Sequence, residues 1–477
     1  MTTSRAYDAG SVSGLARDGR GRLWRRLLPA PLSPAAGTLP LVQRQLRWGR
    51  RQLQDPLALN GYALIANSGV TGGLGLAYWL VMARLYPTDA VGTASAIYAA
   101  MNLLAGITAQ NFNGALTRFI PQAGSRTRSF INRSYAVSAA ASVAVAAVFL
   151  LTIRSWGASY GALDRPVTGV VFLGCVGAWA IFTLQDSVLV GLRSAVWVMV
   201  ENGIFGVVKL VLLVLLVTRL PHHLGIYVSW MVPAVLALPL VNALIYRRLV
   251  PEHALRTTTA DPPTNRQIGR FLAGDYSGAL CLLATGSLIP VIVAARTGAR
   301  QTAYFYVAWV IVGIVDMIGI NMGMSLTVEG AHDVGALAAN CRRALGKMAV
   351  LLLPCAFLLG LLAPWWLALF GPAYARHGTE VLELLAVATL ARAVTELYLG
   401  ALRAQSRTTL VALVQSGRGV LILVLALALT GGLGTVGAAV AVLAGQGTVA
   451  LATGVGLWRL VATGRHAGPV RAGEAGA

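Results

Sequence analysis

Three bases stand inside long apolar runs: Lys209 in FGVVKLVLLVLL, Arg392 in LLAVATLARAVTELYLG and Arg418 in LVQSGRGVLILVLAL. A charge at the centre of a membrane helix costs about 2.5–3.5 kcal/mol on insertion scales, so each base calls for a ligand or a partner. A guanidinium grips an oxyanion in a fork and an ammonium acts as a point charge. Lys209, Arg392 and Arg418 are therefore candidates for a cavity that holds an anion. Internal pairing is the competing use. Arg392 and Glu396 are four apart and share a helical face. Lys209 and Glu201 are eight apart, about 12 Å along a helix, too far to pair directly. Asp275, Asp316 and Glu396 are candidates for ion coupling. Asp316 has no partner on its own stretch, so it either carries a coupling proton or bonds a neighbouring helix. Asp186, Glu201 and Glu383 add to the acids, which outnumber the bases at this depth. The six histidines and four cysteines show no ligand or triad spacing, and no metal or cofactor is expected.

The elements that would position these groups are apolar helices. Of 477 residues, 56% are hydrophobic and 12% charged, with a mean hydropathy of +0.69. Stretches of roughly 20 residues, enough to cross a bilayer, lie near 59–83, 90–113, 134–153, 167–190, 196–217, 224–246, 271–295, 302–325, 345–367, 379–400, 408–429 and 434–457. Rich in Ala, Leu and Gly, without the alternation of a barrel strand, they predict an all-α polytopic membrane protein.

A segment recurs at an offset of 210 residues. NFNGALTRFIP, Asn111–Pro121, returns as NMGMSLTVEGA, Asn321–Ala331, matching Asn111 to Asn321, Leu116 to Leu326 and Thr117 to Thr327. Each copy closes an apolar run and precedes a basic loop and another run. The pattern predicts a duplicated unit: a basic tail over 1–56, an N-lobe over 57–250, a linker over 251–267, a C-lobe over 268–460 and a C-terminal tail over 461–477. Arg118 and Glu329 end the two copies. They are candidates for a gate between the lobes, with ordinary interface anchoring as the alternative.

The net charge of +21 suggests nucleic acid, but its distribution argues for topology. With a cytoplasmic N-terminus, 28 of the 38 Lys and Arg fall on one side and 7 on the other. That bias predicts a multi-pass protein with both termini in the cytoplasm. Arginine outnumbers lysine 36 to 2, which with the Ala and Gly content suggests a bacterial cytoplasmic membrane. Residues 1–40 read as disordered. Residues 41–54 read either as a helix lying on the anionic leaflet or as a tail that only enforces topology. In the first apolar stretch, Gly69 and Gly73 share a face and predict close helix packing, with a substrate-facing kink as the alternative. Tyr78 and Trp79 are expected at the outer lipid–water interface. No loop is long enough for a soluble catalytic domain, which argues against a polymerase or glycosyltransferase.

The order ARLYPTDAVGTAS, helix, NGALTRFIPQAG, basic loop resembles the N-terminal half of bacterial polysaccharide exporters and oligosaccharide-lipid flippases. Leu367–Thr408 is similar to that family's turn between the ninth and tenth helices and to its tenth helix. These proteins belong to the multidrug/oligosaccharidyl-lipid/polysaccharide exporter superfamily, and the likeness spans roughly residues 57–460. It implies a MATE-like fold of about twelve helices in two six-helix lobes around a cavity with alternating access. It further implies a transporter, not an enzyme, that moves a polyprenyl-diphosphate-linked glycan across the bilayer, with glycan polymerase or glycosyltransferase partners. An H⁺- or Na⁺-coupled exporter of drugs or metabolites on the same fold is the alternative.

Overall fold

Each apolar stretch folds as a helix wherever it is described, because a helix pairs every backbone N–H and C=O internally. The computed structural model describes residues 56–256, 264, 266–269, 272, 280, 283–332 and 336–463. The predicted N-terminal segments, 1–40 and 41–54, lie outside them, as do Asp275, residues 257–263 and 265 of the linker, and residues 271, 273–279 and 281–282 of the stretch 271–295. The helices are α1 Pro56–Leu85, α2 Thr88–Ala123, α3 Thr127–Leu151, α4 Pro166–Gly191, α5 Ala195–Leu216 and α6 His222–Leu244. A widened turn over Ile245–Leu249 carries α6 into α7, Val250–Arg256. Residues 251–256, assigned to the linker from sequence, are thus helical. After a similar turn at Ala284–Leu288 come α8 Ile289–Thr297, α9 Ala299–His332, α10 Leu337–Leu361, α11 Ala363–Ala368, α12 Pro372–Ala404 and α13 Thr408–Thr463. No strand occurs among the described residues. Eight of the described helical segments are long and apolar enough to span a membrane. Large apolar side chains such as Leu151, Val167, Leu240 and Leu451 point outward, a surface suited to lipid and not to water.

Helix ends follow local chemistry. Prolines begin α4 and α12, where the missing N–H costs no bond. Gly434 divides α13 at φ +61°, a conformation that other residues resist. The turns after α4 and α12 share one geometry. Arg193 and Ser406 take φ of +55° and +57°. The Ser194 N–H reaches Leu189 O and the Arg407 N–H reaches Leu402 O, both at 2.9 Å, as helix C-caps do.

The most extensive contacts run α9 against α12 and α12 against α13; α2 packs against α4 as α9 does against α12, and α2 also lies against α9. The two echo segments lie inside α2 and α9. Leu116 and Leu326 are both buried. Thr117 and Thr327 donate back to the carbonyls of Asn113 and Gly323, at 3.0 and 2.9 Å.

One end of the bundle is tightly closed. A Cβ at Gly92 would lie 1.6 Å from Ala299 O, so the starts of α2 and α9 meet at backbone distance. Beside them Arg300 binds Asp89 through two nitrogens, at 2.7 and 3.2 Å. Arg84 donates to the carbonyls of Leu369 and Ala368, at 2.6 and 3.0 Å, and Ser159 to that of Ala294 at 2.8 Å. At the far ends of α2 and α9, Arg118 and Glu329 are exposed.

A candidate substrate cavity and the buried charges

A cavity of about 730 Å³ opens among α1, α2, α4, α5 and α6, with Tyr306, Val310 and Ile314 of α9 on the far wall. The glycines of α1 leave room for it. Nothing lies within 4 Å of a Cβ built at Gly69, Gly72, Gly73 or Gly75, and Gly72 and Gly75 line the space. This corrects the expected close packing at Gly69 and Gly73, which are exposed with no neighbour in contact, while Gly72 and Gly75 face the cavity.

The cavity's walls are aromatic and amide-bearing. Trp79, Tyr98, Trp179 and Trp230 supply flat rings. Trp79 lies 4.7 Å from Tyr306 across the α1–α9 boundary, and Tyr98 lies 4.3 Å from Trp230. Tyr78 and Trp79, expected at the lipid–water interface, are instead buried in the bundle. The Tyr78 hydroxyl bonds Ser229 Oγ at 2.8 Å, a partner that a buried phenol requires. Asn102, Gln110, Asn113 and Asn202 line the same space. Trp179 Nε1 donates to Asn102 Oδ1 at 2.8 Å, and Ser187 Oγ to Asn113 Oδ1 at 2.9 Å. Both bonds tie α4 to α2. Asn202 Nδ2 donates to both oxygens of Asp186, at 3.1 and 3.2 Å.

Lys209 of α5 is in this wall, only 6% exposed. Its Nζ lies 3.8 Å from the ring centre of Trp230 and 4.9 Å from those of Tyr78 and Phe205. Among the described residues no carboxylate comes within 4 Å of it. The ammonium is held by ring quadrupoles, which attract it without cancelling its charge. Glu201, on the same helix, is also buried, and among the described residues neither carboxyl oxygen finds a hydrogen-bond partner.

The other two bases lie elsewhere. A smaller cavity of about 130 Å³ is lined by Asp316, Arg392, Arg418 and Gln446. Arg392 Nη1 bonds Asp316 Oδ2 at 2.8 Å, and Arg418 Nη1 bonds Glu396 Oε1 at 3.0 Å. Arg392 Nε comes within 4.0 Å of Glu396 Oε1, the predicted i,i+4 contact at its outer limit. Four charges from α9, α12 and α13 thus form a neutral network. The three bases do not share one cavity, and Asp316 finds its partner on a neighbouring helix. Sequence reasoning missed the aromatic walls and the amides Asn102, Gln110 and Asn113. The signal available was their cost: a polar or amphipathic side chain at membrane depth is there for a reason.

No family model and no curated protein matches the sequence. Solved structures do match. One is an inward-facing multidrug resistance MATE family transporter of the MOP superfamily. It is 15% identical, covers 84% of this chain and 99% of its own, and has a TM-score of 0.64. A MATE in complex with MaL6 is 15% identical over 86% and 98%, with a TM-score of 0.60. A MOP superfamily transporter from Pyrococcus furiosus, with a binding pocket of reverse polarity, is 13% identical over 86% and 97%, with a TM-score of 0.58. The helix order, the outward apolar surface and these likenesses together show an all-α polytopic membrane protein with the fold of MATE transporters.

Proposed function

We propose that this chain is a membrane transporter that moves a lipid-linked glycan across the bilayer by alternating access. The observation that carries the reading is the composition of the 730 Å³ cavity. Flat aromatic rings suit the C–H faces of sugar rings. The amides of Asn102, Gln110 and Asn113 suit hydroxyl groups. Lys209, with no described carboxylate against it, suits a phosphate of a polyprenyl-diphosphate carrier. In this reading Lys209 holds substrate, while Arg392 and Arg418 are neutralised by Asp316 and Glu396. Those two acids then act as counter-ions and not as ion-coupling groups.

The repeated segment, the matching turns at Arg193 and Ser406 and the parallel contacts of α2–α4 and α9–α12 support two six-helix lobes. The charge bias supports a bacterial cytoplasmic membrane with the basic loops inside. The end closed by Gly92, Asp89 and Arg300 is then the outer one, and the cavity opens inward. Arg118 and Glu329 sit where an inner gate would close. Partners are expected among glycan polymerases and glycosyltransferases.

Transport is tested in proteoliposomes carrying a fluorescent polyprenyl-diphosphate disaccharide and an impermeant quencher. Vesicles containing the protein should lose signal beyond the outer-leaflet half, and empty vesicles should not. Equal loss in both would overturn the reading. Asp186 and Glu201 beside the cavity favour a second reading, a cation-coupled exporter of drugs or metabolites. Ethidium efflux driven by a H⁺ or Na⁺ gradient, without lipid flipping, would establish it.

Orientation has its own test, in a chain whose four native cysteines are replaced. Ser159, in a predicted outer loop, is buried and unsuitable as a probe; Ala162 and Arg376 are exposed. Ala162→Cys and Arg376→Cys should react with an impermeant maleimide from outside whole cells, and Ser125→Cys only after permeabilisation. The reverse pattern would invert the topology.

A further inference from the structure

The lysine in the aromatic wall has a second consequence. Trp230, Tyr78 and Phe205 present ring faces at 3.8–4.9 Å from one ammonium nitrogen. Rings converging on a cation in this way are how proteins bind quaternary ammonium groups. Here the cation belongs to the chain. Tyr78 is fixed by Ser229, and the Trp230 ring packs edge-on against Tyr78 at 4.9 Å. The rings are therefore held by the bundle and not by the lysine alone. Lys209 reaches them from α5 along its own aliphatic stem.

The other charged group lining the cavity, among the described residues, is Asp186, with Glu201 buried near it on α5. Lys209 is the base lining this cavity among the described residues, and it pairs with neither acid. Without it the cavity keeps its rings and its acids and has no base among the described residues, which is the chemistry of a site for organic cations.

We propose that Lys209 is a tethered occupant of an aromatic cage, and that by filling it the chain excludes soluble organic cations from a cavity otherwise built to take them. A tethered ammonium competes at a high effective concentration that no dissolved cation matches at ordinary dose. Lys209 is then the residue that sets charge selectivity. The inference rests on the transport reading only in taking this cavity as the substrate site.

The test uses the purified full-length protein in detergent and two probes of equal shape. Choline is the cation, and 3,3-dimethylbutan-1-ol is its uncharged counterpart. Binding is followed by calorimetry and by quenching of tryptophan fluorescence. Wild type should show no saturable choline binding in the millimolar range. Lys209→Ala should bind choline at least about tenfold more tightly than wild type, each 1.4 kcal/mol being a factor of ten, and more tightly than it binds the neutral probe. Lys209→Met, whose uncharged stem refills the cage, should stay closed to choline. Adding Trp230→Ala to Lys209→Ala should remove the new binding.

Lys209→Ser provides a second emptied cage should the alanine variant not elute as a single species. The proposal is overturned if wild type binds choline as well as the emptied variants, if folded Lys209→Ala and Lys209→Ser both fail to bind, or if Lys209→Met binds as well as Lys209→Ala. None of these readouts requires lipid flipping. Failure of the vesicle assay with success here would reject the glycan-lipid reading and keep the cage, and the opposite result would do the reverse.

Discussion

Replacing Lys209 by alanine should leave an inserted, folded protein that has lost glycan-lipid translocation by about tenfold or more, the loss expected when a charge-assisted contact worth about 1.5–3 kcal/mol disappears. Folding should survive because no described carboxylate depends on Lys209 for neutralisation, and the surrounding rings have partners of their own. Lys209→Arg should keep more activity than Lys209→Ala, since the charge remains, but less than wild type. A planar guanidinium does not fit a cage shaped around a compact ammonium. In cells the alanine variant should accumulate lipid-linked glycan on the inner leaflet. The measurement is initial flipping rate in proteoliposomes at matched protein density. Normal flipping by Lys209→Ala would remove the lysine from substrate binding and return attention to Asp186 and Glu201.

The second large effect concerns stability. Arg418→Ala should destabilise the protein by about 3–5 kcal/mol, the range for deleting one member of a buried ion pair. Arg418 and Glu396 are 3% and 6% exposed at their side chains, 3.0 Å apart, so the deletion leaves a buried carboxylate without its nearest counter-charge. Arg392 at 4.0 Å already serves Asp316 and compensates only in part. Removing both charges, as Arg418→Met with Glu396→Leu, should recover most of the loss, because the Asp316–Arg392 pair is left neutral by itself. The midpoint of thermal unfolding in detergent checks both. A single variant as stable as wild type would mean that the pair contributes nothing to folding. A double variant as unstable as the single would mean that packing, and not charge, is what Arg418 supplies.

Both predictions depend on which groups meet, and hydropathy cannot say that. Apolar length is a local property, because each residue's cost in lipid depends on its own side chain. The sequence by itself therefore determined that the chain is helical, that it spans a membrane many times, and closely where its helices lie. The run read at 302–325 is the heart of α9, and those at 408–429 and 434–457 are the two parts of α13 on either side of Gly434. The i,i+4 relation of Arg392 and Glu396 was likewise readable, since one helix fixes it.

Contacts between helices depend on rotation and tilt, which a single strip of sequence does not encode. Asp316 meets Arg392 from 76 residues away, and Glu396 meets Arg418 from 22. Tyr78 and Trp79 have the same composition at a lipid interface or in a core. The bundle's rotation of α1 turned them inward, and it turned Gly72 and Gly75 toward open space. Lys209 is mid-helix in either view. The ring of Phe205, four residues before it on α5, is a neighbour that one helix fixes. Only the tertiary structure decided that two further rings, and no described acid, would meet its charge, because Tyr78 and Trp230 arrive on α1 and α6.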